Sequence, residues 1–315
     1  MIKTINTADL PEPPQKEYIP TVTIGMPVYN GEPYIHEALD SLLAQTYSDF
    51  QLIISDNAST DNTQTICEQY AKKDQRIKYI RQKSNIGMNM NFQFVLEQAK
   101  SSLFMWCAAD DYPEKDWLES LVKSITPDDF SVMGEVVFID KYGNIVGKVM
   151  PKSKKKNALA RLFFSRDSDC TGSYIYGLIR RELALDLFPI LKTSAMENYG
   201  QDILFAYLAL QRGNLRKVSP SKIYYRIHDT NTSLELYEKV HGSKSKINTQ
   251  LIKRILYRAH PWFFYTEHYK HTPKNKRLLI ALLMPLKYLY AQFDLWFRCA
   301  YFLIMSKPYR PNKPK

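Results

Sequence analysis

The sequence of 315 residues has only four cysteines and none of the short motifs that mark common nucleotide, hydrolase and zinc sites. It contains no GxxxxGK[ST], GxGxxG, GxSxG or HExxH segment. This argues against a P-loop nucleotidase, a dinucleotide site, a serine hydrolase and a zinc protease. The cysteines form no CxxC pair and are predicted to be reduced thiols of a cytosolic chain; they are Cys67, Cys107, Cys170 and Cys299.

The N-terminus lacks the apolar stretch that a secretory signal needs, so residues 1–19 are expected to be a flexible lead-in.

Acidic residues are scarce in the C-terminal part of the chain. Residues 251–315 contain 13 of the 43 Lys and Arg residues and only Glu267 and Asp294. The formal charge of +11 therefore lies in this last segment, which argues against a nucleic-acid-binding surface spread over the whole protein.

The first half of the chain alternates apolar runs with amphipathic segments. The apolar runs predict strands at 21–28, 51–55, 76–81 and 103–108, each followed by a turn and, in most cases, by apolar residues at helical spacing. This alternation predicts an α/β fold with a doubly wound, mostly parallel sheet flanked by helices. The ligand site is expected at the carboxyl ends of the strands, where the polar loops lie.

The second half is less regular. SVMGEVVFID and NIVGKVM flank the turn residues KYGN and predict a hairpin, whereas PKSKKKN predicts a solvated loop. Helices are predicted to begin at Pro113 and to include ALARLFF and QDILFAYLALQRG, with Gly213 at an end. KIYYRIH predicts the last strand. We place one domain at 20–235 and a basic helical extension at 236–315.

The extension contains a long apolar block, from Leu278 to Met305, interrupted by Lys287, Asp294 and Arg298. At helical spacing these charges form one narrow stripe, which predicts an amphipathic helix rather than a membrane span. Basic residues on both sides suit an anionic membrane surface, so we expect a peripheral location on the inner, cytoplasmic face of the membrane. Packing of these helices on the domain or in a dimer is the alternative, and the sequence does not indicate an oligomeric state.

Asp110 and Asp111 directly follow the apolar run 103–108. Two carboxylates at a strand end repel each other unless a cation lies between them, and a hard divalent ion that also binds a diphosphate satisfies both. The alternative is a polar turn before the next helix.

Four other polar residues lie at predicted strand ends, in the last predicted strand or near a helix start. Asp56 and Asn57 follow the second strand and can bond to a nucleotide base and ribose, although a helix cap is the alternative. Asp202 lies near a helix start and is either a general base or a cap. Arg226, in the last strand, is suited to phosphate oxygens.

With these residues in view, the sequence resembles family-2 glycosyltransferases of the bacterial surface-polysaccharide type, which have the GT-A fold. The resemblance covers about residues 20 to 233. It is carried, in order, by TIGMPVYNGEPYIHEALDSLLAQTYSDFQLIISDNASTDNT, SNIGMNMNFQFVLEQA, WCAADDYPEKDWLE, NYGQDILFAYLALQRG and YYRIHDTNTS.

The resemblance implies roles for individual residues. It implies that Asp202 is the catalytic base, with Glu197 as the fallback, and that Asp110 and Asp111 hold Mn²⁺ or Mg²⁺ with the donor diphosphate. Ala108 stands where relatives often have another carboxylate, and Asn57 stands where they often have Asp. The nucleotide-sugar site is implied to include Pro27, Tyr29, Asn30, Asp56, Asn57, Asn85, Asp110 and Arg226.

These roles imply a metal-dependent, inverting transfer of one sugar from a nucleotide sugar, with UDP favoured, to a saccharide acceptor. A lipid-linked saccharide in polysaccharide biosynthesis would suit the membrane extension, and no nucleic-acid partner is expected. A sugar-phosphate nucleotidyltransferase is a weaker alternative because VYNGEPYI lacks a basic, glycine-rich phosphate loop. A non-catalytic protein that binds membranes or nucleic acid through its basic tail is the other alternative.

Overall fold

The computed structural model describes residues 18–149, 151–155, 171–187 and 201–227, together with positions 272, 274, 277, 278, 281 and 282. The lead-in before residue 18, the ALARLFF segment, Glu197, Cys170, Cys299 and nearly all of the extension lie outside the described residues.

The first half of the described chain alternates strands and helices, as the sequence predicts. β1, β2 and β4 are mostly apolar and are buried on both faces of the sheet, whereas β3 at the sheet's edge is partly exposed. The elements are β1 (Val22–Val28), α1 (Ile35–Leu43), β2 (Phe50–Asp56), α2 (Thr63–Lys73), β3 (Ile77–Arg81), α3 (Met88–Gln98) and β4 (Leu103–Trp106).

The second half adds longer strands and shorter helices. The predicted hairpin is present, and the helix predicted before Gly213 ends at Leu210. The elements are β5 (Tyr112–Pro113), α4 (Trp117–Ser124), β6 (Asp129–Ile139), β7 (Ile145–Val149), a 3₁₀ helix (Thr171–Tyr176), β8 (Leu178–Arg180), α5 (Arg181–Leu185), α6 (Gln201–Leu210) and β9 (Asn214–Arg226).

The nine described strands form one mixed sheet in the order β3-β2-β1-β4-β8-β6-β9-β5, with β7 paired to β6. β1 pairs in parallel with β2 and β4, and β2 pairs in parallel with β3. β8 is antiparallel to both β4 and β6, so β6 and β9 run in the same direction as β4. The carboxyl ends of β1, β2, β4, β6 and β9 therefore lie along one edge, which we call the carboxyl edge.

The prediction for one proline was wrong, and a second proline lies near a strand end. Pro113 does not begin a helix, because it pairs with Ile223 in β5 and α4 begins only at Trp117. Pro27 lies one residue before the end of β1, opposite Ser55, within the strand predicted at 21–28. The strand tolerates Pro27 because β4 pairs only as far as Gly25, so the missing N–H faces the side of β1 where pairing has ended.

Close approach between β6 and β9 requires a glycine at one position. A Cβ on Gly134 would lie 2.2 Å from the Ser221 carbonyl oxygen, and the register of the two strands shifts between Met133 and Glu135. Here β9 extends back to Asn214, earlier than the predicted strand at KIYYRIH.

One described position of the extension packs against the domain. The Thr272 side chain is buried, and its hydroxyl is hydrogen-bonded to the hydroxyl of Tyr207 in α6. Arg277 Nε donates to the Thr272 carbonyl oxygen over 3.1 Å. No helix in the described residues is long and apolar enough to cross a membrane.

Candidate active site

The loops after β1 and β2 are joined at the carboxyl edge. Asn30 has a left-handed backbone, with φ of 54°, and its Oδ1 accepts from the Thr60 N–H over 2.8 Å. The Asn30 N–H donates to Ser59 Oγ over 2.9 Å, and the Gly31 N–H donates to Thr63 Oγ1 over 2.8 Å. These hydrogen bonds hold the two loops in one defined arrangement. Asparagine suits position 30 because it tolerates the left-handed backbone better than most residues do.

Asp56 ends β2 with a fully buried side chain. Its Oδ1 accepts from the Ser59 N–H over 2.8 Å, and its Oδ2 accepts from Tyr79 Oη over 2.7 Å and from Arg81 Nη1 over 2.5 Å. Burial by itself raises the pKa of Asp56, but the hydrogen bonds from Ser59, Tyr79 and Arg81 outweigh it and leave the pKa lowered. Asp56 is therefore an ionised carboxylate, and its contact with a nucleotide base stays a prediction.

Asn57 and Asn85, both assigned to the donor site by resemblance, contact each other. Asn57 Nδ2 donates to Asn85 Oδ1 over 3.0 Å, and Asn57 Oδ1 accepts from the Ile86 N–H over 2.8 Å. Asn85 Oδ1 also accepts from the N–H of Gly87, whose φ is 86°. These bonds connect the loop after β3 to the loop after β2.

The two other residues predicted to contact the nucleotide near the end of β1, Pro27 and Tyr29, differ in exposure. Pro27 is buried within β1, whereas the Tyr29 side chain is half exposed beyond its end. Tyr29 is thus accessible to a ligand at the carboxyl edge.

Asp110 and Asp111 follow β4 in a short turn. Asp110 is partly exposed, whereas Asp111 is 7% exposed and its Oδ1 accepts from the Arg226 backbone N–H over 2.9 Å. Burial, and next the charge of Asp110, raise the pKa of Asp111 well above its ordinary value, more than the Arg226 contacts lower it. A charged Asp111 is therefore unfavourable in the protein alone.

The Asp110–Asp111 pair fits a divalent cation because a cation would offset the burial and repulsion of Asp111. Hard divalent ions prefer carboxylate oxygens. The described residues contain no group of three or more His, Cys, Asp or Glu side chains that could hold a metal. That donor phosphates complete the ligand set of the metal stays a prediction.

Arg226 connects several elements around this turn. Its side chain is 3% exposed, its Nη2 is paired with Glu37 of α1, and its Nε donates to the Asp110 carbonyl oxygen over 3.2 Å. The guanidinium lies 4.7 Å from the Tyr34 ring centroid, and Nη1 reaches the carbonyl oxygen of Asp140 at the end of β6 over 3.4 Å. These contacts are all with the protein, and the predicted phosphate contact stays a prediction.

Sequence reasoning did not single out Glu37. The available signal was its place in the first turn of the helix that follows the first loop. Its partner lies 189 residues further along the chain, so the pairing itself was not visible.

Replacing Glu37 with glutamine is expected to destabilise the protein by about 1–2 kcal/mol, since it removes a charged partner from a buried guanidinium. Equilibrium urea unfolding measures the change. Glu119→Gln is the matched control, because Glu119 pairs with Lys123 on the surface of α4 and should change stability by less than about 0.5 kcal/mol. Equal effects of the two substitutions would contradict the role of Glu37.

Asp202 lies in α6, and its side chain lies outside the described part of the structure. The helix is nevertheless tied to the strand that leads to Asp110. Phe205, less than one turn after Asp202, packs its ring edge-on against Trp106 at a centroid distance of 6.1 Å. The backbone of α6 thus brings Asp202 within one helical turn of a residue that contacts the end of β4.

A comparison with protein families matches residues 23–188 to Glycosyl transferase family 2, which is just over half of the chain and includes the loops after β1, β2 and β4. The chain belongs to this family. The protein is therefore a glycosyltransferase, and this excludes the non-catalytic alternative.

Curated relatives carry the same description. An uncharacterized glycosyltransferase of Rickettsia typhi is 28% identical over 259 residues, which are 76% of this chain and 75% of the relative. Glycosyltransferase GlyA of Streptococcus pneumoniae is 34% identical over 104 residues, but the match spans only 33% of this chain and 15% of GlyA.

Two solved structures share the fold. Residues 1–349 of S. aureus TarS in complex with UDP match with a TM-score of 0.54 at 19% identity, over 92% of this chain and 93% of that one. The mannosyltransferase PcManGT of Pyrobaculum calidifontis, in complex with GDP-Man and Mn²⁺, matches with a TM-score of 0.51 at 17% identity, over 91% and 86% of the chains. The mostly parallel sheet predicted from the sequence is thus confirmed as a GT-A fold.

Proposed function

We propose that this family 2 glycosyltransferase moves one sugar from a nucleoside-diphosphate sugar to a saccharide acceptor, with inversion at the anomeric carbon. The observation that carries the proposal is the position of Asp110 and Asp111 beside the joined loops of β1 and β2. β2 and β4 flank β1, so Asp56 and the aspartate pair are separated by two strand spacings, about 10 Å. This span suits the base and diphosphate of one nucleotide.

The donor is assigned to the predicted residues along the carboxyl edge. We assign Asp56, Asn57 and Asn85 to the base and ribose of the donor, together with the half-exposed Tyr29. Asn30 shapes the loop between the base and the diphosphate. UDP is the favoured nucleotide, which the UDP complex of TarS supports.

Asp110 and Asp111 would hold Mn²⁺ or Mg²⁺ against the donor diphosphate. The pairing of GDP-Man with Mn²⁺ in PcManGT supports this choice of cofactor. When bound, such an ion supplies positive charge to the departing diphosphate. Arg226 keeps the turn in place because its backbone N–H holds Asp111 and its guanidinium holds the Asp110 carbonyl.

Asp202 is assigned as the general base that removes the proton from the acceptor hydroxyl as its oxygen attacks the sugar. The packing of Phe205 on Trp106 supports this, because it fixes α6 beside the strand that leads to the aspartate pair. We further propose a lipid-linked acceptor at the cytoplasmic face of the membrane, in polysaccharide biosynthesis. The apolar block and basic flanks of the extension support this placement.

Nucleotide sugars are expected to raise the melting temperature, with the largest shift for the cognate donor in the presence of Mn²⁺. A ligand at about 100 times its Kd adds about 2.7 kcal/mol of stability. The measurement is a thermal-shift panel of UDP, GDP and dTDP sugars, each with Mn²⁺ or with EDTA. Equal shifts in Mn²⁺ and EDTA would rule out the metal site, and no shift with any nucleotide sugar would overturn the proposed donor class.

A further inference from the structure

Most of the large apolar side chains that are exposed between residues 18 and 227 follow strand ends at the carboxyl edge of the sheet. Nine such side chains are exposed between residues 18 and 227, and only Tyr18 and Ile19 lie near the amino ends of the strands. The other seven lie at the carboxyl edge, around the candidate active site; they are Tyr29, Ile86, Met88, Met90, Tyr142, Ile145 and Val146. A concentration of exposed apolar residues around a site marks a surface for an apolar partner.

The most exposed of these side chains lie on the hairpin of β6 and β7. Tyr142 in the turn is 78% exposed, Ile145 is 67% exposed and Val146 is 56% exposed. Ile145 and Val146 are consecutive strand residues that point to opposite faces, and both are exposed, so the hairpin tip projects from the protein.

The basic side chains of the hairpin tip are exposed, whereas its acidic side chain is bonded within the hairpin. Lys141 and Lys148 are exposed, whereas the Asp140 carboxylate is turned into the hairpin. Asp140 Oδ1 accepts from the N–H groups of Tyr142 and Asn144 over 2.8 and 2.9 Å, and Oδ2 accepts from Asn144 Nδ2 over 3.0 Å. The tip thus presents apolar groups between two lysines, with its one acidic group satisfied internally.

The same turn is attached to the active-site framework. The Asp140 and Lys141 carbonyl oxygens lie 3.4 and 3.5 Å from Arg226 Nη1, and the Arg226 backbone N–H holds Asp111. A surface that contacts the hairpin tip is therefore placed beside the aspartate pair.

We propose that the β6–β7 hairpin tip is a membrane-docking element that inserts Tyr142, Ile145 and Val146 into the interface of an anionic bilayer. Apolar and aromatic side chains flanked by lysines match the chemistry of such an interface, where the apolar groups leave water and the lysines meet lipid phosphates. The element is separate in sequence from the extension. The proposal agrees with the lipid-linked acceptor and deepens it, because it brings the active-site edge to the bilayer surface.

A polarity-sensitive fluorophore attached at the tip tests the insertion directly. Ile145→Cys is labelled in the full-length chain after Cys170→Ser and Cys299→Ser, because the other two cysteines, Cys67 and Cys107, are buried. With vesicles of phosphatidylglycerol and phosphatidylcholine, the emission is expected to shift to shorter wavelength and to strengthen. The matched control is Lys72→Cys, in the exposed last turn of α2 at the opposite edge, where no shift is expected.

Three results would overturn the proposal. The first is an unshifted emission at position 145 when the protein has bound the vesicles. The second is no binding to anionic vesicles. The third is an emission that is already shifted without vesicles, which would indicate edge pairing of β7 between two copies of the chain.

The lysines are tested by a second pair of variants. Lys141→Gln and Lys148→Gln are each expected to raise the lipid concentration at half-maximal signal from position 145 by about fivefold, since a basic residue near an anionic surface contributes about 1 kcal/mol. Unchanged titrations would count against the proposal. These vesicle experiments use no donor or acceptor, so a negative result would overturn the docking proposal and leave the proposed sugar transfer intact. Conversely, a thermal-shift panel without any donor-dependent shift would overturn the proposed donor class and leave the docking proposal intact.

Discussion

Replacing Asp202 with asparagine is expected to lower the rate of sugar transfer by about 10²–10⁴-fold while leaving donor affinity unchanged. Asparagine preserves the shape of the side chain but cannot take a proton from the acceptor hydroxyl. Steady-state transfer rates and nucleotide-sugar titrations of the same preparation measure the two quantities. The expected signature is a loss in kcat with little change in the donor KM.

Two companion variants make the Asp202 result specific. Asp186→Asn replaces an exposed aspartate just after α5 and should leave transfer at its normal rate. Glu197→Gln tests the fallback base. Near-normal turnover of Asp202→Asn, together with a large loss in Glu197→Gln, would move the role of base to Glu197.

Replacing Asp111 with asparagine is expected to have opposite effects on activity and stability. Transfer should fall by about 10²–10³-fold, because a charged ligand of the metal and diphosphate is lost. The metal-free protein should become more stable, because the folded pKa of Asp111 lies well above its ordinary value and a neutral amide removes an unfavourable buried charge. A gain of about 1 kcal/mol corresponds to roughly 2–4 °C in melting temperature.

The sign of this stability effect depends on pH. A raised folded pKa means that the folded protein prefers the protonated acid, so stability falls as pH rises from the unfolded pKa toward the folded one. The gain from Asp111→Asn should therefore vanish in acid. Calorimetry in EDTA at neutral and acidic pH measures the difference in melting temperature between Asp111→Asn and the unchanged protein. Asp128→Asn is the control, because Asp128 is exposed at the amino end of β6. A less stable Asp111→Asn protein at neutral pH would contradict the argument.

The parallel half of the fold was predictable because its strands carry a strong local signal. The run at 21–28 became β1 at Val22–Val28, and the run at 51–55 became β2 at Phe50–Asp56. Strands covered on both faces are continuous apolar runs, which few other structures produce.

The antiparallel half was harder because pairing partners define its strands. Tyr112–Pro113 is a strand only through Tyr224 and Ile223, more than a hundred residues away, and a proline before a helical pattern is more often a helix start. Residues 214–217 are mostly polar and are held in β9 by their pairing with β6. Local sequence carries no record of such a partner.

In the candidate site, too, some residues could be found from local sequence, whereas the partners of others depend on distant parts of the chain. Asp56, Asn57, Asp110 and Asp111 were found because each follows an apolar strand. Arg226 was assigned to phosphate because a basic residue near a predicted nucleotide site usually binds one. Its pairing with Glu37 requires two distant segments to meet, which only the folded chain reveals.

The contact between Thr272 and Tyr207 decides where this protein can be shortened. A chain cut after residue 235, at the predicted domain boundary, would lose one hydrogen bond of a buried tyrosine on the helix that carries Asp202. Low activity of that fragment would then report a loosened helix α6 rather than detachment from a membrane. A chain that ends after Arg277 keeps the contact, and it is the fragment from which the role of the apolar block can be judged.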